Sequence, residues 1–329
     1  MRVLPVLAKL SIGKAFIVVA AAAMLAAAAR PAAAEDWPTR PITLVVSFAP
    51  GAIMDYLGRA IAHDLTTALG QPVVVENKVG GGGSVPAVAI AKAAPDGYTL
   101  LMTAIGPAVF RPIMDKSVGY DIDKDFTPII LAGDSPNVLL ANPKLGLNTV
   151  KDLLAYAKTR NGKLSIAHSG PGTMGHLCSV LFASQAHING SFIAYRGAAP
   201  MITDLLGGQI DIGFPAFGPG SQSVKILAVT TEERVDFLPD VPTMKESGFD
   251  LVGSTWNAIY APANVPREIV TKLNTAINAY LQKPETRQQF SKVGLRALGG
   301  TPEHLSETVA QDRAKWSQII ARLNVAPEK

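Results

Sequence analysis

The chain has 329 residues, a formal net charge of +4, 48% hydrophobic and 17% charged residues, and one cysteine, Cys178. A lone cysteine excludes an intrachain disulfide and any cysteine-rich zinc site, and the five histidines show no metal-ligand spacing. Residues 1–34 carry Arg2, Lys9, Lys14, Arg30 and no acid, so +4 − 4 leaves zero on the other 329 − 34 = 295 residues, which removes the case for nucleic-acid binding.

Those first 34 residues have the layout of a secretory signal peptide. A basic start is followed by an uncharged apolar run, Ala15 to Ala29, and by Pro31-Ala32-Ala33-Ala34, which predicts cleavage near Glu35. The run is shorter than the ~20 residues that a spanning helix needs, so the expected product is exported and soluble. Without disulfides it must rely on a hydrophobic core, and its length suggests about two domains.

Ile42-Thr43-Leu44-Val45-Val46 is a nearly continuous apolar run and reads as a strand covered on both faces. A Gly/Pro loop follows, then a helix with Asp55 as its expected N-cap, Leu57, Ile61, Leu65 and Leu69 on one stripe, and Gly70 at its end. Val73 to Val75 is the next strand. Gly80 to Gly83 forms a loop, Ser84 is the expected cap of a helix to about Ala93, and a turn at Asp96-Gly97 leads into strand Tyr98 to Met102. This is βαβαβ, the unit of a parallel sheet.

A second series begins near Asn137. Its expected strands are Val138 to Leu140, Leu164 to Ala167, Phe192 to Tyr195, Ile210 to Gly213 and Lys225 to Val229. Its helices are Val150 to Lys158, one ending near Ala186, and Ala198 to Leu206. Another strand follows at Asn257 to Tyr260. Beyond Pro266 the pattern is helical, with Ile269, Leu273 and Ile277 aligned and a last helix from about Pro302 to Leu323. Both series place a glycine-containing loop between strand and helix, around Gly51 and around Gly170, where ligands sit in open α/β sheets.

The stretch IAHSGPGTMGHL, residues 166–177, matches G-x-G-x-x-G, but the acid expected to close the next strand of a dinucleotide site is absent from Tyr195-Arg196-Gly197. A nucleophile elbow would need glycine at 167, which is Ala, although Ser169 with His168 or His176 leaves an exported serine hydrolase as an alternative. The third reading is an anion site. Glycines let backbone N–H groups converge at a helix N-terminus, and Ser169 and Thr173 add hydroxyls. The Gly80–Gly83 run lacks the lysine of a phosphate loop and reads as a turn. Asp55 is either a cap or a partner for a ligand amine, and Arg196 either a surface residue or a counter-ion.

Several stretches carry a family resemblance in order: WPTRPITLVVSFAPG (37–51), LGQPVVVENK (69–78), AKAAPDGYTLLMT (91–103), DFTPI (125–129), HSGPGTMGHL (168–177), YRGAAPMITDLLGGQIDIGF (195–214), LPDVPTMKESG (238–248) and GGTPE (299–303). From Trp37 to about Trp316 the chain resembles the Bug-type periplasmic solute-binding receptors of the tripartite tricarboxylate transporters. The resemblance implies an α/β, type II, two-lobed (Venus-flytrap) binding protein with two mostly parallel sheets and a hinge. Lobe 1 would comprise 35–135 plus 252–329, and lobe 2 would comprise 136–251. Such a receptor is a periplasmic monomer that captures a small carboxylate (a di- or tricarboxylate, an aromatic acid or an acidic amino acid) and delivers it to inner-membrane permease subunits, with no cofactor, metal or enzymatic step. A ligand sensor without a transport role is the alternative within that class.

The resemblance also implies a pocket. Ser169, Gly172, Thr173 and His176 would face it from one loop, Tyr195, Arg196, Gly197 and Ala198 from another, and Phe214 from a wall. Phe48, Gly51, Ala52, Ile53, Met54, Asp55, Thr103 and Ala104 would line the opposite lobe. The chain departs from the family after Gly51, where Ala52-Ile53-Met54 replaces further glycines and a hydroxyl residue; facing the cleft, these side chains would either narrow it or favour a ligand with an apolar or aromatic body. It also has a shorter stretch between Phe214 and Lys225.

Overall fold

The strands form where apolar residues run together. In the computed structural model, which describes residues 37–323, β1 (Ile42–Val46) feeds α1 (Ile53–Leu69), β2 (Val73–Asn77), α2 (Ser84–Ile90) and β3 (Thr99–Ala104). The expected signal peptide lies outside the described residues. The chain divides into Met1–Thr39 and Arg40–Lys329, and the architecture is that of the second unit. A π-helical turn (Gly106–Phe110), α3 (Arg111–Met114) and β4 (Phe126–Pro136) follow. Next come β5 (Val138–Ala141), α4 (Val150–Thr159), β6 (Lys163–His168), α5 (Met174–Gln185), β7 (Asn189–Ala194), α6 (Ala198–Gly207), β8 (Ile212–Gly213) and β9 (Lys225–Val229). The chain closes with β10 (Ser254–Pro262), α7 (Arg267–Gln282), α8 (Pro284–Ser291), β11 (Arg296–Ala297) and α9 (Pro302–Leu323).

Two sheets result. One has the order β11-β4-β10-β3-β1-β2 and the other β7-β6-β8-β5-β9. The sheets expected to be mostly parallel are mixed. β1 pairs in parallel with β2 and β3, and β6 with β7 and β8, as strands joined by helical crossovers do. The strands that return from the other sheet or from the C-terminal region pair antiparallel: β10 with β3 and β4, β11 with β4, and β5 with β8 and β9.

Burial explains the apolar runs. Leu44 and Val46 of β1, and all four residues of β5, are buried. Ile53, Leu57, Ile61 and Leu65 form the inner stripe of α1, and Gly70 closes that helix in the left-handed region at φ 69°. Full burial of one such aliphatic side chain contributes about 1.5–3 kcal/mol. Among the described residues, no helix is long and apolar enough to cross a membrane.

The chain passes between the sheets at two tied points. β4 and β5 are separated only by Asn137, and the return runs through residues 230–253 between β9 and β10. Thr230 donates its N–H to the Asn137 carbonyl (2.9 Å), Gly253 donates to the Thr230 carbonyl (2.8 Å), and Asn137 donates to Thr230 Oγ1 (3.1 Å). Away from these crossings the two halves meet backbone to backbone. A Cβ on Gly82 would stand 2.1 Å from the Pro171 carbonyl oxygen, and one on Gly106 would stand 2.6 Å from that of Gly172. The glycine run 80–83 is a turn, as expected, and its bareness permits this approach.

Two expected caps are corrected. Asp55 does not cap α1: the cap is Ala52, and Asp55 sits in the first turn. Ser84 is the first residue of α2, behind Gly83, and its hydroxyl donates to the Gly81 carbonyl (2.8 Å).

Candidate functional site

Three helices begin at one cavity. Its wall takes Ala52, Ile53 and Met54 from the start of α1, Thr173, Met174 and Gly175 from the start of α5, and Gly197 and Ala198 from the start of α6. The cavity holds about 60 Å³, several times the ~10–15 Å³ that one water requires. Phe48, Ala104, Ile105, Gly106, Asn137, Ser169, Ala216, Gly218, Pro219, Thr255 and Asn257 complete the wall, which contains no charged side chain.

Each helix start follows from local sequence. The turn before α1 is held by Asp55, whose carboxylate accepts from the Gly51 N–H (3.0 Å), Arg59 Nε (3.1 Å) and Asn77 Nδ2 (2.9 Å). Asn77 also donates to the Phe48 carbonyl (3.0 Å), so one acid and one amide strap residues 48–55. Burial alone would raise the Asp55 pKa, but the bonds from Arg59, Gly51 and Asn77 outweigh it and hold the carboxyl below its ordinary value. Asp55 is 5% exposed and faces a shallow depression with Tyr56 and Arg59, away from the cavity wall.

The turn before α5 is held by neutral hydrogen-bonding groups. Thr173 caps the helix: its Oγ1 accepts from the His176 N–H (3.2 Å) and donates to the Gly170 carbonyl (2.8 Å). The Gly170 N–H donates to His168 Nδ1 (3.3 Å), and the Gly172 N–H donates to His176 Nδ1 (3.2 Å). The two imidazoles lie 4.5 Å apart and are 0% and 2% exposed. Burial pushes His168 down to about 4, and burial with its neighbours His168 and Arg111 pushes His176 down to about 3, so both rings are neutral. Arg111 packs its stem against Gly172.

This arrangement divides the expected site residues. Phe48, Ala52, Ile53, Met54, Ala104, Ser169, Thr173, Gly197 and Ala198 are on the wall. Gly51, Asp55, Thr103, Gly172, His176, Tyr195, Arg196 and Phe214 are not. Thr103 is turned away by strand alternation from Ala104. Gly172 and His176 are spent on each other beneath the loop. Tyr195 donates to Asp204 (2.6 Å) and lies with Arg196 in an outer recess bounded by the glycine run and Pro171. Phe214 is fully buried against Phe182, and a Cβ on Gly175 would meet its carbonyl oxygen at 2.1 Å.

What remains unspent is a set of donors. The first N–H groups of a helix have no intrahelical partner. Those of Ile53, Met54, Met174, Gly175, Ala198 and Ala199 make no hydrogen bond within the described residues. The Ser169 hydroxyl is likewise free. Converging helix N-termini carry partial positive charge, so the cavity attracts an anion without a cationic side chain. The residues that sequence reasoning missed are chiefly the polar floor, Asn137, Thr255 and Asn257, together with the flank of Ile105, Gly106, Met174, Gly175, Ala216, Gly218 and Pro219. The floor residues are single polar positions at strand starts or within apolar runs, and no spacing marks them.

Comparison with known proteins agrees with this geometry. The family described as "Tripartite tricarboxylate transporter family receptor" matches residues 57–325. The chain is 35% identical over 297 residues to Protein BugT of Bordetella pertussis, covering 88% of this chain and 91% of that one. Among solved structures it resembles R. palustris Rpa4515 with adipate (TM-score 0.85, 33% identity, 88% of this chain and 99% of that one). It also resembles MatC from Rhodopseudomonas palustris with bound malate (TM-score 0.81, 28% identity, 86% and 100%). The chain therefore belongs to the tripartite tricarboxylate transporter receptor family, whose solved members share its two-sheet α/β binding-protein fold.

Proposed function

We propose that the chain is an exported, periplasmic receptor that captures a small carboxylate and hands it to a tripartite tricarboxylate-type permease, as a monomer and without catalysing a reaction. The carrying observation is the cavity itself: three helix N-termini converge on a wall with no charged side chain. The adipate and malate bound by its structural relatives support a carboxylate ligand.

The ligand carboxylate belongs at α5 and α6. The start of α1 already has the Asp55 carboxylate in its first turn, which partly satisfies that helix dipole, whereas the first turns of α5 and α6 hold no acid. The Met174, Gly175, Ala198 and Ala199 N–H groups and the Ser169 hydroxyl take the anion, while Ile53, Met54 and Phe48 pack on the ligand body. Lobe 1 (35–135 plus 252–329) and lobe 2 (136–251) close over it about Asn137 and the 230–253 return. Affinity for both lobes together is what favours the closed form.

The test is a thermal-shift screen of the mature chain, unfolded and refolded to strip carried-over ligand, against mono-, di- and tricarboxylates, aromatic acids and acidic amino acids. A ligand at 100 times its Kd adds about 2.7 kcal/mol, which moves the midpoint visibly. No shift from any acid, in folded protein, overturns the reading.

A further inference from the structure

The cavity floor is a short chain of hydrogen bonds that ends on an unused acceptor. Asn137 Nδ2 donates to the Phe214 carbonyl (3.4 Å), Thr255 Oγ1 donates to Asn137 Oδ1 (2.7 Å), and Asn257 Nδ2 donates to the Thr255 carbonyl (3.4 Å). A carbonyl only accepts, so the Asn257 nitrogen must face Thr255, which leaves Oδ1 on the other side of the amide. That oxygen is buried and has no hydrogen-bond partner, in a residue only 1% exposed. Asn257 shares its face of β10 with Thr255 and lies in register with Ala104 of β3, and all three line the cavity. A register shift against β4 falls between Asn257 and Ala258, the kind of bulge that re-aims a side chain beside a functional site.

We infer that Asn257 selects, among carboxylates, those that also carry a hydrogen-bond donor on the ligand body: a hydroxy acid or an amino acid rather than a plain one. The inference rests on the carboxylate reading above. The helix starts offer donors and require an acceptor, which the carboxylate supplies. The floor offers one acceptor that has no partner, Asn257 Oδ1, which an unadorned hydrocarbon body would leave buried and unpaired. A ligand hydroxyl or amine satisfies it, and the plain analogue is rejected because it cannot.

The experiment measures Kd by calorimetry for matched pairs: malate and aspartate against succinate, and the three hydroxybenzoates against benzoate. In at least one series a donor-bearing acid should bind about tenfold tighter than its parent, the worth of one recovered buried hydrogen bond. In Asn257→Leu, which keeps the branched shape but loses the acceptor, the ratio should fall to near one. Asn257→Ala is the second variant should leucine not fold. Parents binding as tightly as their hydroxylated or aminated partners, as they would if a water satisfied Oδ1, would overturn the inference. So would a ratio that survives both substitutions. If no acid of either kind binds folded wild-type protein, the carboxylate reading itself fails; if parents bind and discrimination is absent, only the role of Asn257 does.

Discussion

The two loops that frame the cavity do the same job by opposite means. Residues 48–55 are strapped by a charged group, Asp55 held among Gly51, Arg59 and Asn77. Residues 168–176 are propped by two neutral imidazoles, each accepting one backbone N–H. An acid inside the first turn of α1 competes with a ligand anion for that helix terminus. Imidazoles that carry no charge leave the terminus of α5 unopposed. The difference assigns the carboxylate end to the histidine-propped side, and the apolar body to the Ile53-Met54 side.

Acid should separate the two loops first, and with the largest effect. The folded histidine values, about 4 and about 3, lie below the ordinary 6.5. Their contribution is complete above 6.5 and is lost as pH falls toward the folded values, because Nδ1 cannot accept once protonated. Asp55, also depressed, contributes above its ordinary 3.8 and is lost only as pH falls through its lower folded value. A melting series from pH 7 to 4 should therefore show a falling midpoint and weakening binding. His176→Asn, whose amide oxygen offers the Gly172 N–H an uncharged acceptor, should flatten the slope; an unchanged slope would remove the imidazoles from the account.

Gly175→Ala should rank next. Its Cβ would stand 2.1 Å from the backbone oxygen of Phe214, which has no side-chain freedom to yield. A loss of about 1–3 kcal/mol in denaturant unfolding is expected, with carboxylate binding weakened as well. Asp55→Ala should cost about 2 kcal/mol by the same assay. It should leave monocarboxylate affinity within a few fold, and an abolished affinity would place Asp55 in the binding surface. Thr173→Val removes the α5 cap and should cost about 1 kcal/mol.

Most of the fold was legible because the apolar runs of β1, β5, β6 and β9 and the stripe of α1 are local signals. β4 was not. Pro128, Gly133, Asp134 and Pro136 interrupt its pattern, and it persists because β10 pairs along its length with two register shifts. The mixed character of both sheets was equally hidden, since Pro136 pairs with Ser254 and Asp134 with Arg296, contacts set by the tertiary fold. In the site, the loops around Gly51 and Gly170 were visible as strand-to-helix turns. Which of their groups face the cavity was not, because it depends on where Asp55, His168 and His176 spend their bonds.

The most direct test of the central claim is calorimetric titration of refolded mature protein with adipate and benzoate, each beside its neutral carboxamide. Recognition of negative charge by bare helix N-termini predicts that whichever acid binds does so at least about a hundredfold tighter than its amide, roughly 2.7 kcal/mol. Acid and amide binding alike would contradict it, since the cavity would then be reading shape and apolar surface instead of charge.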